Sequence, residues 1–342
     1  MITDLIQKMI DRADLTEQEA RTAMEEIMAG QATDAQIAGF LTALRMKGET
    51  AQELIGFARV MREKAERLWD GEVLPVLDTA GTGGDRSGTF NISTAAAFVA
   101  AGAGVRVAKH GNRSASSRCG SADVMEALGI DIQMPMDRLR RAIKDVGIGF
   151  LFAQRFHTSM KHVMPARTQL KVRTVFNILG PLASPAAACF QVVGVGSLEI
   201  MELMANALQG LGLDHAFVVH GANGMDEVSI SSRTYVVEIR RGEIRQFVMT
   251  PEDFGLTSAK IDAILGGDPA DNAKIVESVF RGEPGPKRDV VLLNAAPALV
   301  AAGAATTWKD GIGLAAEAID SGAALKKLLE LREFSLAAEG DT

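Results

Sequence analysis

The spacing of apolar residues divides the chain near residue 70. Over the first seventy positions apolar side chains recur at helical intervals, as at Ile37, Phe40, Leu41 and Leu44, then at Leu54, Phe57, Ala58 and Met61. Three capping boxes punctuate them: Thr16 with Glu19, Thr33 with Gln36, Thr50 with Glu53. In such a box the hydroxyl accepts from the N3 amide while the N3 side chain returns to the cap, so the pattern predicts four helices over 1–70. Short amphipathic helices cannot bury their stripes alone. A small helical domain follows.

From Val73 onward the period changes. Short apolar runs at 74–79, 105–109, 149–153, 190–195, 215–220 and 235–239 read as strands, and stretches at 95–101, 122–128, 137–146 and 198–210 as helices. The alternation predicts an α/β domain over 71–342, with a central, largely parallel sheet and ligands at the carboxyl ends of its strands. Ser93 or Thr94 is the expected cap of the first of these helices. Residues 165–185 interrupt the alternation. Beyond 260 the chain reads as helices at 271–281, 289–302 and 312–331, with a frayed tail from Ala337.

At 342 residues and 47% hydrophobic content the chain fits one large domain and a smaller one. Its longest apolar runs, near 95–105 and 290–305, are broken by Gly, Asn or Pro, so none reaches a membrane span. The first residues lack the basic and greasy segments of a signal peptide, and a cytoplasmic location is expected. Cys119 and Cys189 have no metal-ligand spacing and suit a reducing compartment. Cys189 reads as core. Cys119 reads as a packing residue at the end of a loop, open to modification when that loop is empty. One Tyr, two Trp and a net charge of −7 argue against a nucleic-acid surface.

Candidate chemistry lies in two loops. Gly81-Thr-Gly-Gly-Asp85 follows a strand and leads to a helix start, and three glycines in four positions let backbone amides approach an anion. A second loop, His110 to Arg118, follows the next strand. Between Asp85 and Asp123 there is no Asp or Glu, whereas Arg86, Arg106, Lys109, Arg113 and Arg118 fall in that window. An acidic chain thus carries one segment that attracts anions. Neither loop has the spacing of a nucleoside triphosphatase or a dinucleotide site. A phosphorylated ligand held in another way is expected.

GTGGD at 81–85, NxST at 91–94, KHGNR at 109–113, GSAD at 120–123, RTxFNxLGPL at 173–182 and the pair Asp226-Glu227 closely resemble the anthranilate phosphoribosyltransferases, in register from the first helices to about Leu331. The resemblance implies the nucleoside phosphorylase and phosphoribosyltransferase fold class with a helical domain, a homodimer formed through that domain, and a segment within 165–185 that crosses back to it as one wall of a cleft. It implies transfer of the phosphoribosyl group of phosphoribosyl pyrophosphate (PRPP) to anthranilate, the second step from chorismate toward tryptophan. PRPP contacts would come from Gly81, Gly84, Asp85, Thr89, Asn91, Ile92, Ser93, Thr94, Lys109, His110, Gly111, Asn112, Arg113, Ser114, Ala115, Ser116, Ser117 and Ser121. Anthranilate contacts would come from Gly81, His110, Asn112, His157, Arg167 and Pro181, with His110 and His157 the candidate proton acceptors. About two Mg2+ ions would involve Ser93, Asp226 and Glu227. The role of Asp85 is left open. Lys171 stands where the family commonly has Gly, which puts the cleft wall and its charge in question, and Ser184 where Asn is usual. Two other readings compete: a pyrimidine nucleoside phosphorylase, which would use inorganic phosphate and no metal pair, and a non-catalytic relative that binds nucleic acid.

Overall fold

The computed structural model describes residues 1–114 and 117–337. Four helices open the chain: α1 (Ile2–Ile10), α2 (Glu17–Met28), α3 (Asp34–Lys47) and α4 (Ala51–Lys64). The hydroxyls of Thr16, Thr33 and Thr50 accept from the amides of Glu19, Gln36 and Glu53, and each N3 side chain returns to its cap. All three sequence signals therefore mark true helix starts.

The α/β part begins with β1 (Leu77–Gly81), α5 (Ile92–Gly102), β2 (Val107–Gly111), α6 (Ser121–Ala127), α7 (Met136–Arg141) with a π turn after it, and β3 (Ile148–Phe152). Short helices α8 (Ala153–Phe156), α9 (Met164–Leu170) and α10 (Phe176–Leu179) interrupt it. Then come β4 (Phe190–Gly194), α11 (Leu198–Gly210), β5 (His215–Gly221), β6 (Thr234–Arg240) and β7 (Glu243–Met249). The chain closes with α12 (Pro269–Phe280), α13 (Pro286–Ala301), α14 (Trp308–Asp320) and α15 (Ala323–Leu336).

One seven-stranded sheet runs in the order β3-β2-β1-β4-β5-β6-β7; the pairings from β3 through β5 are parallel, while β5–β6 and β6–β7 are antiparallel. The order reverses at β1, which has β2 on one side and β4 on the other. Ligands of open α/β sheets bind outside the carboxyl ends at such a reversal. On one face α5, α6 and α12–α15 enclose a core, with Phe98 and Phe280 edge to face at 5.7 Å. On the other face α11 and the inner sides of β4, β5 and β6 share a core with α1–α4. Val163, Ala166, Val175, Phe176 and Leu179 are buried in that same core.

Several expectations shift. β1 and β2 start three and two residues late and end in the first glycines of their loops, because Gly81 and Gly111 still pair, with Gly194 and Phe152. Strand β7 carried no clear signal: it is an edge strand with five of its seven residues exposed, so no apolar alternation marks it. The expected helix 312–331 is two helices broken at Gly322, whose φ of +78° no helix interior accommodates. Apolar periodicity continues across the break and hid it. Of the tail expected to fray, 338–342 lies outside the described residues. Among those described, no helix is long and apolar enough to cross a membrane.

Candidate active site

Three strand ends meet at the reversal point. Gly81 ends β1 beside Gly194 at the end of β4, and the loop after β5 lays Asp226 across both. A Cβ at Gly194 would fall 1.6 Å from the Asp226 carbonyl oxygen, and one at Gly81 would fall 2.6 Å from Asp226 Oδ2. Only glycine permits that approach. The first loop then folds back, with Thr82 N–H donating to Gly194 O at 2.9 Å and Gly83 N–H to Asp226 Oδ2 at 2.8 Å. Asp85 accepts from Ser87 N–H at 3.1 Å through Oδ1 and from Asp226 N–H at 3.4 Å through Oδ2. Its carboxylate thus ties the loop to the acidic pair.

Asn91, not Ser93 or Thr94, is the N-cap of α5, and its side chain is drawn elsewhere: Oδ1 accepts from Asn272 at 3.0 Å and from the Cys119 thiol at 3.3 Å. Ser93 and Thr94 therefore lie inside the first turn, where amides lack helical partners. Ser93 N–H donates to Glu227 Oε1 at 3.2 Å. Thr89 Oγ1 lies 3.0 Å from Ser87 Oγ. In the second loop Ser121 Oγ accepts from Asn112 N–H at 3.2 Å, and a Cβ on Gly111 would meet that oxygen at 2.2 Å. Ser114 and Ser117 hydroxyls are 2.7 Å apart. Ala115 and Ser116 lie outside the described residues.

Asp226 and Glu227 are half-buried residues whose carboxyl groups are enclosed by protein, and both are held well above the usual carboxylate range. Burial is the main cause; for Asp226 the charge of Asp85 adds to it, and for Glu227 that of Asp226. Lys109 opposes the rise at Glu227. The Lys109 ammonium is itself buried, donates to Thr79 O and reaches Ser93 Oγ at 3.5 Å, and burial pulls it below the usual lysine range. Crowded carboxylates with one shielded cation fit a divalent ion. Among the described residues no three His, Cys, Asp or Glu side chains converge to hold one unaided. Such a site suits Mg2+, which binds through one or two carboxylates and completes its shell with phosphate oxygens and water.

The His110 and His157 rings pack edge to face with centroids 5.3 Å apart, beside the carbonyls of Gly180 and Ala183. Burial drives their pKa values down to about 3 and about 4, so both are neutral at pH 7. Each Nε2 is buried without a hydrogen-bond partner. Arg167 projects from α9, its guanidinium 5.4 Å from the Phe176 ring centre, and no carboxylate among the described residues offsets its burial. Asn112 Oδ1 accepts from Arg113 N–H at 2.8 Å and from Gln154 at 3.3 Å. Pro181 is buried, and its carbonyl accepts from Gln191 at 2.9 Å.

Other candidates are placed differently. Arg113 turns its side chain to Asp123 and Glu126 of α6, the first at 3.0 Å, and Ile92 is wholly buried in the core. Arg106 is exposed at the opposite end of β2 from the loops, so the basic window supplies less charge to the site than its count suggests. Lys171 is exposed with φ +53°, capping α9 in the left-handed region, so the position makes a backbone demand that glycine meets without strain. Cys119 is buried and its thiol is pushed up to about 11 by burial, against modification, while Cys189 is only half-buried before β4. Two residues were missed. Asp78, wholly buried in β1, accepts from His110 N–H at 3.0 Å and lies beside Ser184; an apolar strand offered no signal for it. Arg173 reaches the first loop, and the RTxFNxLGPL motif held the only hint.

A helical bundle joined to a largely parallel sheet, with a glycine loop and an acidic pair meeting at the reversal point, is the architecture of a glycosyl transferase. Residues 3–65 match the helical bundle domain of the glycosyl transferase family and 74–325 its a/b domain. The chain is 54% identical to the anthranilate phosphoribosyltransferase of Symbiobacterium thermophilum, over 97% of each protein. It superposes on the crystal structure of the Thermus thermophilus enzyme with a TM-score of 0.92 at 45% identity, covering 97% of this chain and 99% of the other. With the Saccharomyces cerevisiae enzyme in complex with PRPP and Mg the TM-score is 0.89 at 29% identity, covering 98% and 97%. The chain belongs to the anthranilate phosphoribosyltransferase family. These relatives speak against the nucleoside phosphorylase and nucleic-acid-binding readings.

Proposed function

We infer that the protein transfers the 5-phosphoribosyl group from PRPP to the amine of anthranilate, releasing pyrophosphate, in tryptophan biosynthesis. The observation that carries this reading is the contact of Gly83 N–H with Asp226 at 2.8 Å, which brings the anion cradle and the acidic pair into one crevice. The amides of Gly84 and Asp85 in the first loop, which make no hydrogen bond among the described residues, bind the donor's phosphates, and Lys109 holds the backbone at Thr79 and offers charge to Ser93. Asp226 and Glu227 would hold Mg2+, about two ions with the donor. When bound, the metal neutralises charge building on the departing pyrophosphate.

Arg167, with no acidic partner among the described residues, takes the anthranilate carboxylate, and the Phe176 ring and Pro181 support an apolar wall. An aromatic amine is neutral at pH 7, so its lone pair is available without a base. His110 and His157, neutral and deeply depressed, serve as hydrogen-bonding walls rather than proton acceptors. Catalysis then rests on alignment and leaving-group stabilisation, and positioning alone supplies about 7–11 kcal/mol in well-oriented reactions. Ile10 and Met46, 59% and 67% exposed on α1 and α3, support a homodimer through the helical domain, which sedimentation at micromolar protein measures. A cytoplasmic location accords with a reaction on soluble metabolites. The direct test follows anthranilate fluorescence with PRPP and Mg2+. Turnover is expected; thymidine cleavage with phosphate in its place would overturn the reading.

A further inference from the structure

Arg173 lies on the returning segment that also carries Arg167, yet its guanidinium crosses to the first glycine loop. Nη1 donates to Gly84 O at 3.1 Å and Nη2 to Gly83 O at 3.2 Å. Among the described residues these two carbonyls are its hydrogen-bond partners. A Cβ on Gly84 would fall 2.4 Å from Nη1, so a side chain there would push the guanidinium off the loop. Gly83 and Gly84 have φ of +65° and +72°, and Gly83 N–H is held by Asp226.

We propose that Arg173 is a positioning residue that orients the donor-binding amides of the Gly81–Asp85 loop. In a trans peptide the carbonyl and the following N–H point in opposite directions. Pinning the carbonyls of Gly83 and Gly84 on the Arg173 side turns the N–H groups of Gly84 and Asp85 to the other side. Neither N–H makes a backbone hydrogen bond within the described chain, so both are free donors for an anion. A planar guanidinium holds two carbonyls at once, whereas an ammonium is a point donor. The acceptor wall and the donor loop thereby share one strap.

The proposal rests on the loop being the cradle for the diphosphate of PRPP. Turnover of anthranilate, PRPP and Mg2+ by the unaltered enzyme tests that reading first; its absence sinks the reading whatever Arg173 does. With turnover present, Arg173→Ala and Arg173→Lys are expected to raise the KM for PRPP about tenfold, because the lost hydrogen bonds hold the loop and do not touch the donor itself. The KM for anthranilate is expected to stay within about twofold. Added guanidinium at millimolar levels should lower the PRPP KM of the alanine variant only. In a double-mutant cycle, Gly84→Ala should cost more in kcat/KM for PRPP in the wild type than beside Arg173→Ala, because its clash with the guanidinium is gone. A PRPP KM within about twofold of wild type in both variants, or equal rises for both substrates, overturns the proposal. Should the alanine variant not fold, Arg173→Lys decides by the same criterion.

Discussion

At the residue scale the site works by which charges are paired and which are left open. Among the described residues Arg167 has no carboxylate of its own, so Arg167→Ala is expected to raise the KM for anthranilate by about 10–100-fold, the cost of a charged hydrogen bond, with little change for PRPP. Steady-state kinetics with each substrate varied checks this, and equal effects on both would contradict it. His157, buried and depressed to about 4, carries a proton readily only in the unfolded chain, where its pKa is near 6.5. Its contribution to stability is therefore complete above about pH 6.5 and is lost as the pH falls toward 4. Between pH 7 and 5 the wild type should lose about 2 kcal/mol more than His157→Gln in urea unfolding. Equal losses would mean that the ring titrates normally. The motifs named nearly all the residues that gather here. What they could not convey was pairing: Arg113 is consumed by Asp123 and Glu126, and the pKa of a histidine depends on what buries it.

At the element scale, local chemistry was read where it is strong. A capping box needs only four consecutive residues, so Thr16, Thr33 and Thr50 fixed three helix starts without reference to the rest of the chain. Asn91 shows the limit: Cys119 and Asn272 claim the side chain that should cap α5, and those partners are distant in sequence. Lys171 is a second case, since its left-handed backbone arises from how α9 must turn back toward the sheet. A non-glycine residue there costs about 1 kcal/mol, in part offset by the unfolded-state entropy of glycine. Lys171→Gly is expected to stabilise the protein by about 0.5–1 kcal/mol in denaturant titrations, with the anthranilate KM unchanged. A shift in that KM would return the residue to the cleft wall.

At the scale of the whole molecule, the active site exists only because strands far apart in sequence end side by side. Asp226 reaches Gly83 and Glu227 reaches Ser93 across more than a hundred residues, and the two carboxylates are crowded and costly in the absence of a cation. Replacing both by amides of the same shape, Asp226→Asn with Glu227→Gln, is expected to abolish Mg2+-dependent turnover without lowering the thermal midpoint, because like charges in a buried crevice are removed. Normal turnover by that variant would place the metal elsewhere. The sequence by itself determined the helix starts, the alternation that makes a parallel sheet and the residue types of the loops, because periodicity, capping and glycine conformation act over a few residues. Only the tertiary structure decided the reversal at β1, the edge strand β7, the hand of Arg173 on the glycine loop and the charge states of the buried groups. Those depend on contacts between distant segments and on the solvent that the assembled fold excludes.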